Sequence, residues 1–554
     1  MSTADSSPWW RGAVIYQVYP RSFADGNGDG IGDIAGIRSR LNHLSALGVD
    51  AIWFSPWYPS PMADAGYDVS DYRDIDPVFG SLVEAEALIA EAHELGIRTI
   101  VDVVPNHCSD AHPWFQAALA GGPGAPERDL FWFRPGRGPN GDQRPTDWVG
   151  EFGGETWTRT TNPDGTPGDW YLHLFAPQQP DFNWDHPRVR AEFEDILRFW
   201  FDRGVDGIRI DSAGLLVKDG TLPEVQPDQP HPFHDLDGVH DIYRGWRRVA
   251  DEYPDRALIG EVWLPDRQRF ANYLRPDELH AAFNFDFLGC AWDASALRES
   301  IDGTLSAHAP VNAPATWVLS NHDVTRHVTR YGRADTRFSF AAKREGIPTD
   351  LELGTRRARA AALLSLSLPG AAYVYQGEEL GLYEVEDIPY AMRQDPMWER
   401  SGRIDPGRDG CRVPLPWAGD EPPFEFSPEG AAAPWLPQPA DWKDRTASTQ
   451  TGDSASMLEL YRAAIQVRRA DPALGDGELT WLPAPDGVLA FSRGGGFSCL
   501  VNLSAVPVPM PAQGELLLAS GPLDDGLLPS DTAVWLRTTE SADGPRAADG
   551  PGLT

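Results

Sequence analysis

Short apolar and β-branched runs recur along the chain at residues 13–19, 51–54, 99–104, 207–211, 258–262, 281–285, 317–321 and 373–376. Each has the length of a buried strand, and most are followed by a stretch with helical spacing. Val189, Phe193, Ile196, Leu197, Trp200 and Phe201 illustrate that spacing, with apolar positions recurring at i, i+3, i+4 and i+7 on one side. Strands alternating with helices predict parallel βαβ units, and eight of them predict an α/β fold, a closed (β/α)8 TIM barrel. A doubly wound open sheet would call for a glycine-rich phosphate turn after the first strand, which is absent.

The rhythm breaks once, because residues 105–206 separate the third and fourth strands where a helix and loop need only about 30. Residues 108–181 are rich in Gly, Pro and Trp without a long helical pattern, and predict a loop-rich inserted subdomain over the C-terminal face of the barrel. The barrel itself is then expected over 1–107 and 182–470. A Pro-rich excursion (384–450) and a helix (454–469) follow the eighth strand. Residues 471–554 alternate short strands with turns, which predicts a C-terminal antiparallel β domain ending in a disordered tail over 541–554.

Composition excludes some partners. Of 554 residues, 82 are Asp or Glu and 47 Lys or Arg, a net charge of −35, so no nucleic acid or anionic membrane is expected as a partner. No apolar run approaches the roughly 18 residues of a spanning helix, and the first seven residues lack a basic and an apolar region; a cytoplasmic protein, monomer or homodimer, is expected. Cys108, Cys290, Cys411 and Cys499 form no CxxC pair and predict isolated thiols. Lysine is nearly absent, at Lys218, Lys343 and Lys443 only.

Candidate chemistry gathers at strand ends. The third strand ends Asp102-Val-Val-Pro-Asn106-His107, the fourth carries Arg209-Ile-Asp211, the fifth Glu261, and the seventh Asn321-His322-Asp323. Carboxylates, histidines and an arginine on separate strands have no shared structural task, whereas a pair of carboxylates, one ionised and one protonated, is what glycosidic cleavage requires. A metal reading would use His107, His322 and the carboxylates, but HxH or HExxH spacing is missing.

These segments resemble the α-amylase family, glycoside hydrolase family 13, in its α-glucosidase and oligo-1,6-glucosidase branch. The four family blocks stand in order as Asp102-Val-Val-Pro-Asn-His107, Gly207-Ile-Arg-Ile-Asp-Ser212, Gly260-Glu-Val-Trp263 and Leu319-Ser-Asn-His-Asp323, and Gln179-Pro-Asp-Phe-Asn183 is similar to a block of the branch. The resemblance implies that Asp211 is the nucleophile, Glu261 the acid/base and Asp323 the third catalytic carboxylate. It further implies that Arg209 holds Asp211 ionised and that His107 and His322 bind the reacting glucose.

Asp64-Ala-Gly-Tyr67 and Gly410-Cys-Arg412 resemble segments in which an Asp and an Arg clamp a terminal glucose while the Tyr stacks on it, which implies an exo action. Phe152, Phe175 and Phe285 are candidates for the apolar wall or for the core. Ser212, where α-1,6-specific members tend to have Val, points to α-1,4 linkages. The implied activity is a retaining exo-acting α-glucosidase for neutral α-glucosides, maltose and short α-1,4 oligosaccharides, with some transglucosylation; an oligo-1,6-glucosidase or a trehalose- or isomaltulose-forming isomerase is the alternative. No catalytic cofactor is expected. Asp25, Asn27, Asp29, Ile31 (through its carbonyl) and Asp33 alternate oxygen donors with glycines, and predict a structural Ca²⁺ or Mg²⁺ site or a hydrogen-bonded turn.

Overall fold

The computed structural model describes residues 7–227, 229–340, 343–511 and 514–538. Its centre is a parallel sheet of β1 (Val14–Val18), β2 (Ala51–Phe54), β3 (Arg98–Val103), β4 (Gly207–Ile210), β5 (Ala257–Gly260), β6 (Ala281–Ala282), β7 (Thr316–Val318) and β8 (Ala371–Tyr375). Neighbours pair in the order β7-β8-β1-β2-β3-β4-β5-β6. No backbone ladder joins β6 to β7; instead the Thr316 hydroxyl accepts the Asn284 N–H at 3.1 Å and donates to the Ala282 carbonyl, closing the seam with one side chain. The result is a nearly closed (β/α)8 barrel.

The strand period of two decides what faces the barrel axis. Ile15, Trp53, Ile100, Ile259 and Val318 belong to the inner cluster, while Val14, Ile52, Val101, Ile208, Leu258 and Trp317 pack outward against the helices. Continuing the inner parity brings Gln17 on β1, Asp102 on β3, Arg209 on β4, Asp211 just past β4 and Glu261 just past β5 to the same end. Several predicted strands overshoot for this reason: their last residues leave the ladder and become the mouth of the barrel.

Residues 108–181 contain a three-stranded antiparallel sheet, with Pro167–Leu172 between Phe133–Arg134 and Trp157–Thr161. They also contain the helix Pro113–Gly121, which corrects the expectation of a segment without a long helical pattern. Pro113 supplies its pre-set φ at the first helical position, and His112 Nδ1 accepts the Trp114 N–H at 3.1 Å. Beyond the barrel, Thr480–Trp481, Val488–Gly494, Phe497–Asn502, Thr532–Arg537 and Glu515–Ala519 form an antiparallel sheet in that order. Helix Leu351–Ser367 packs against it, the Trp535 indole donating to the Leu363 carbonyl at 3.1 Å. The expected tail over 541–554 lies outside the described residues. Among the described residues no helix is long and apolar enough to cross a membrane.

Candidate active site

One guanidinium organises the barrel mouth. Arg209 is 2% exposed, and its Nη1 donates to Asp211 Oδ1 at 2.7 Å and to both oxygens of Asp102 at 2.9 Å, while Nη2 donates to Glu261 Oε2 at 2.7 Å. Three buried carboxylates around one arginine leave an excess of negative charge, so they cannot all ionise at ordinary cost. Ser212 turns the chain away from β4 with a left-handed φ of 48°. That turn aims its N–H at Glu261 Oε2 (2.9 Å) and its hydroxyl at Asp211 Oδ2 (2.9 Å), so a strained residue serves both carboxylates.

The two members of the pair are tuned differently. Burial pushes the Glu261 carboxyl up to about 7 despite Arg209, with the charges of Asp211 and Asp323 adding to the rise. Burial also raises Asp211, but Arg209 and the Ser212 hydroxyl oppose it. Burial works on Asp323 as well; there the His322 Nε2 at 3.2 Å and the guanidiniums of Arg408 and Arg412, which supply the positive charge, outweigh it and hold the carboxyl below its ordinary value. Burial pushes Asp102 well above its ordinary value too, against the pull of Arg209, so the carboxylates around this one guanidinium compete for protons.

Asp64, Tyr67, His107, Phe152, Phe175, Asp211, Glu261, His322 and Asp323 line one pocket of about 390 Å³, within the range of small-molecule sites. His322 is a neutral ring, since burial drives its pKa well down. With the Gln17 amide donating to Nδ1 at 2.7 Å, its proton sits on Nε2, which faces the Tyr67 hydroxyl (2.6 Å) and Asp323 Oδ2 (3.2 Å). His107, lowered to about 4 by burial, is held through Nε2 by the Gln179 amide at 3.0 Å, and that amide also donates to Asp64 Oδ2 at 3.0 Å. Phe175 packs on His107 with centroids 4.9 Å apart, and Phe152 packs edge-on against Phe175 at 5.2 Å.

Two expectations need correction. Arg412 does not line the pocket: it is 1% exposed and bonds to the His322 carbonyl (2.8 Å) and Asp323 Oδ1 (3.0 Å) from behind. Arg408 is the arginine that meets Asp64, through Nη2 at 2.6 Å, while its Nη1 reaches Asp323 Oδ1 at 3.2 Å and its Nε reaches Asp395 at 2.5 Å. Phe285 is covered by Trp263, whose ring lies parallel to it at 3.6 Å, so the indole and not the phenyl forms the wall.

The loop of Asp25, Asn27, Asp29, Ile31 and Asp33 is braced by its own backbone. Asp25 accepts the N–H groups of Asn27, Gly28 and Gly30 at 2.7–3.1 Å, and Asp33 those of Gly26, Asn27 and Gly36 at 2.6–3.1 Å. Asn27 and Asp29 likewise accept from Asp29 and Ile31, both at 2.9 Å. Among the described residues no group of three or more His, Cys, Asp or Glu is placed to hold a metal ion. These oxygens brace a tight turn whose Gly28 and Gly30 have φ near 90°, and a carboxylate oxygen that accepts an amide keeps a lone pair.

Other residues of the site are not singled out by sequence. Glu151 and His234 pair at 2.7 Å on the pocket wall, with Asp235, Trp263, Phe340 and Met397 completing it. Lys218 is fully buried beneath His107, its ammonium held by Asn106 Oδ1 (2.6 Å), Asp181 Oδ2 (2.7 Å) and the Leu215 carbonyl (2.8 Å). Asp102 and Gln179 lie within the motif segments; the inner parity of β1 is the available signal for Gln17. Trp263 closes the motif segment Gly260-Glu-Val-Trp263, whereas Arg408 has no local signature.

Comparison with known proteins places this mouth among the glycoside hydrolases. Residues 17–477 match the alpha amylase catalytic domain, and residues 475–535 match a domain of unknown function, DUF3459. The chain belongs to the alpha-amylase family, whose enzymes need no catalytic cofactor. It is 38% identical over 527 residues to a probable alpha-glucosidase of Rhizobium meliloti, covering 90% of this chain and 89% of that protein. It is 33% identical over 500 residues to an oligo-1,6-glucosidase of Parageobacillus thermoglucosidasius, covering 83% and 84%. The solved structure of an alpha-glucosyl transfer enzyme superimposes with a TM-score of 0.83 at 34% identity, covering 96% of this chain and all of that one.

Proposed function

We propose that the protein is a retaining, exo-acting α-glucosidase that releases glucose from the non-reducing end of maltose and short α-1,4-linked oligosaccharides. The observation that carries the reading is the closed end of the pocket, where Asp64, Arg408 and Asp323 form a continuous ion pair behind Tyr67. A glucose seated there can offer its hydroxyls to two carboxylates and a guanidinium, but a longer chain cannot thread past them. Cleavage is therefore confined to terminal units.

Asp211 attacks the anomeric carbon while the proton on Glu261 passes to the leaving oxygen, giving a covalent glucosyl-enzyme. Both carboxylates share Arg209, a close spacing that suits a nucleophile and acid/base on one bond better than a wider pair with water between them. Glu261, now ionised, then takes a proton from water, and the configuration is retained. A sugar hydroxyl in place of water yields a transglucosylation product, and the likeness to an alpha-glucosyl transfer enzyme supports that side reaction. Ser212, turned onto Asp211 with a small side chain, leaves room beside the nucleophile and supports α-1,4 over α-1,6 substrates.

Chromatography of products from maltose, isomaltose and sucrose, with proton NMR of the first glucose released, tests this. Faster cleavage of isomaltose would overturn the linkage assignment, and an isomeric disaccharide as main product would overturn hydrolysis. Glucose release that survives Asp211→Asn would remove the nucleophile.

A further inference from the structure

Glu261 receives its donors unequally. Oε2 is saturated by Arg209 Nη2 and the Ser212 N–H, whereas Oε1 meets one donor, the Trp263 indole N–H at 2.9 Å. An indole nitrogen can donate but cannot accept. When Glu261 carries its proton on Oε1, the proton cannot lie along the line to Trp263 and must occupy the other lone pair of that oxygen. The indole is held rigidly for this task, face to face with Phe285 at 3.6 Å and 4° and edge-on to Phe340 at 5.2 Å. It also lines the pocket, 38% exposed, so it stands between the acid/base and solvent.

We propose that Trp263 is a positioning residue that sets the acidity of Glu261 and directs its proton into the pocket. The proposal rests on Glu261 being the acid/base. The charged groups facing that carboxyl are Arg209 and Asp211 from β4, Asp102 on the far side of Arg209 from β3, and Asp323 beyond β7. Glu151, His234, Asp235 and Arg408 line the same pocket, and Trp263 is the donor that reaches Oε1. A hydrogen bond donated to the carboxylate favours its charged form, so the indole keeps Glu261 a stronger acid than burial alone would make it.

The test is the pH dependence of kcat/KM for maltose and for an aryl α-glucoside with a good leaving group. Trp263→Phe keeps an aromatic ring on Phe285 but removes the donor; benzothienylalanine placed at 263 keeps the whole indole shape and removes only the N–H. Both are expected to move the alkaline limb up by about one pH unit, a tenfold rise in the proton affinity of Glu261. Both should also slow maltose, whose leaving group needs the proton, more than the aryl glucoside. An alkaline limb that stays in place with benzothienylalanine, with only KM raised, would reduce Trp263 to a wall and overturn the proposal. Glu261→Gln separates the two readings: if it retains full activity on maltose, the acid/base assignment itself has failed.

Discussion

Lys218→Met probes how the inserted subdomain is fastened to the barrel. The ammonium and the Asp181 carboxylate are both fully buried, 2.7 Å apart, so the substitution keeps the apolar stem and leaves a carboxylate without its cation. Removing one partner of a buried pair costs about 3–5 kcal/mol. Asp181 retains the Leu174 N–H at 3.0 Å and the Asn106 amide at 3.2 Å, which favours the lower end, about 3 kcal/mol. That is a large part of the 5–15 kcal/mol, roughly, that stabilises a folded domain. Adding Asp181→Asn removes the stranded charge and leaves the loss of ordinary hydrogen bonds, about 1–2 kcal/mol in all. Urea unfolding followed by tryptophan fluorescence should therefore rank wild type above Lys218→Met/Asp181→Asn, and that double variant above Lys218→Met alone. Because Asn106 also contacts His107 Nδ1 at 3.2 Å, the KM for maltose should rise in the single variant. A single variant as stable as wild type, or a double variant no better than the single, would refute the claim that charge burial holds this junction.

The remaining predictions concern the pocket. The proton needed by the leaving group sits on Glu261, pushed up to about 7, so kcat/KM for maltose should fall as pH rises through about 7; a flat profile to pH 9 would contradict the assignment. Burial raises Asp64 to about 6 against Arg408, so the ion pair at the closed end weakens as pH falls through that value, and KM should rise below about pH 6 in wild type but not in Asp64→Asn. Arg408→Met leaves Asp64 and Asp395 without their cation and should lower kcat/KM at least a hundredfold, measured on maltose at neutral pH. Ser212→Val should cut the ratio of maltose to isomaltose turnover by about tenfold or more, the scale on which a few pocket atoms discriminate.

Much of this site is legible in the amino-acid sequence. The strand runs, their order and the polar residues at their ends follow from periods of two and 3.6, which are local properties of the backbone. Asp211, Glu261, Asp323, His107 and His322 are readable because motif segments carry them. The insertion between β3 and β4 is readable as an interruption, although its helix Pro113–Gly121 is not: nine residues with two buried positions write too weak a pattern among glycines and prolines.

The barrel, its strand ends and the excess of carboxylates over cations at one mouth are dictated locally, because each depends on neighbours along the chain. Which partners those groups have depends instead on the closed fold. Arg408 and Arg412 flank one short turn, Asp409–Cys411, and whichever faces Asp64, 344 residues away from Arg408, is settled by the path of the loops. Trp263 and Phe285 are both aromatic residues near strand ends, and only their stacking shows which one is wall and which one backing. The aspartates of residues 25–33 have the composition of a cation loop, and only the fold shows which amides they brace. A side chain's chemistry is written in its identity, but its occupation is a three-dimensional competition among donors, and that competition is resolved only when the chain has closed.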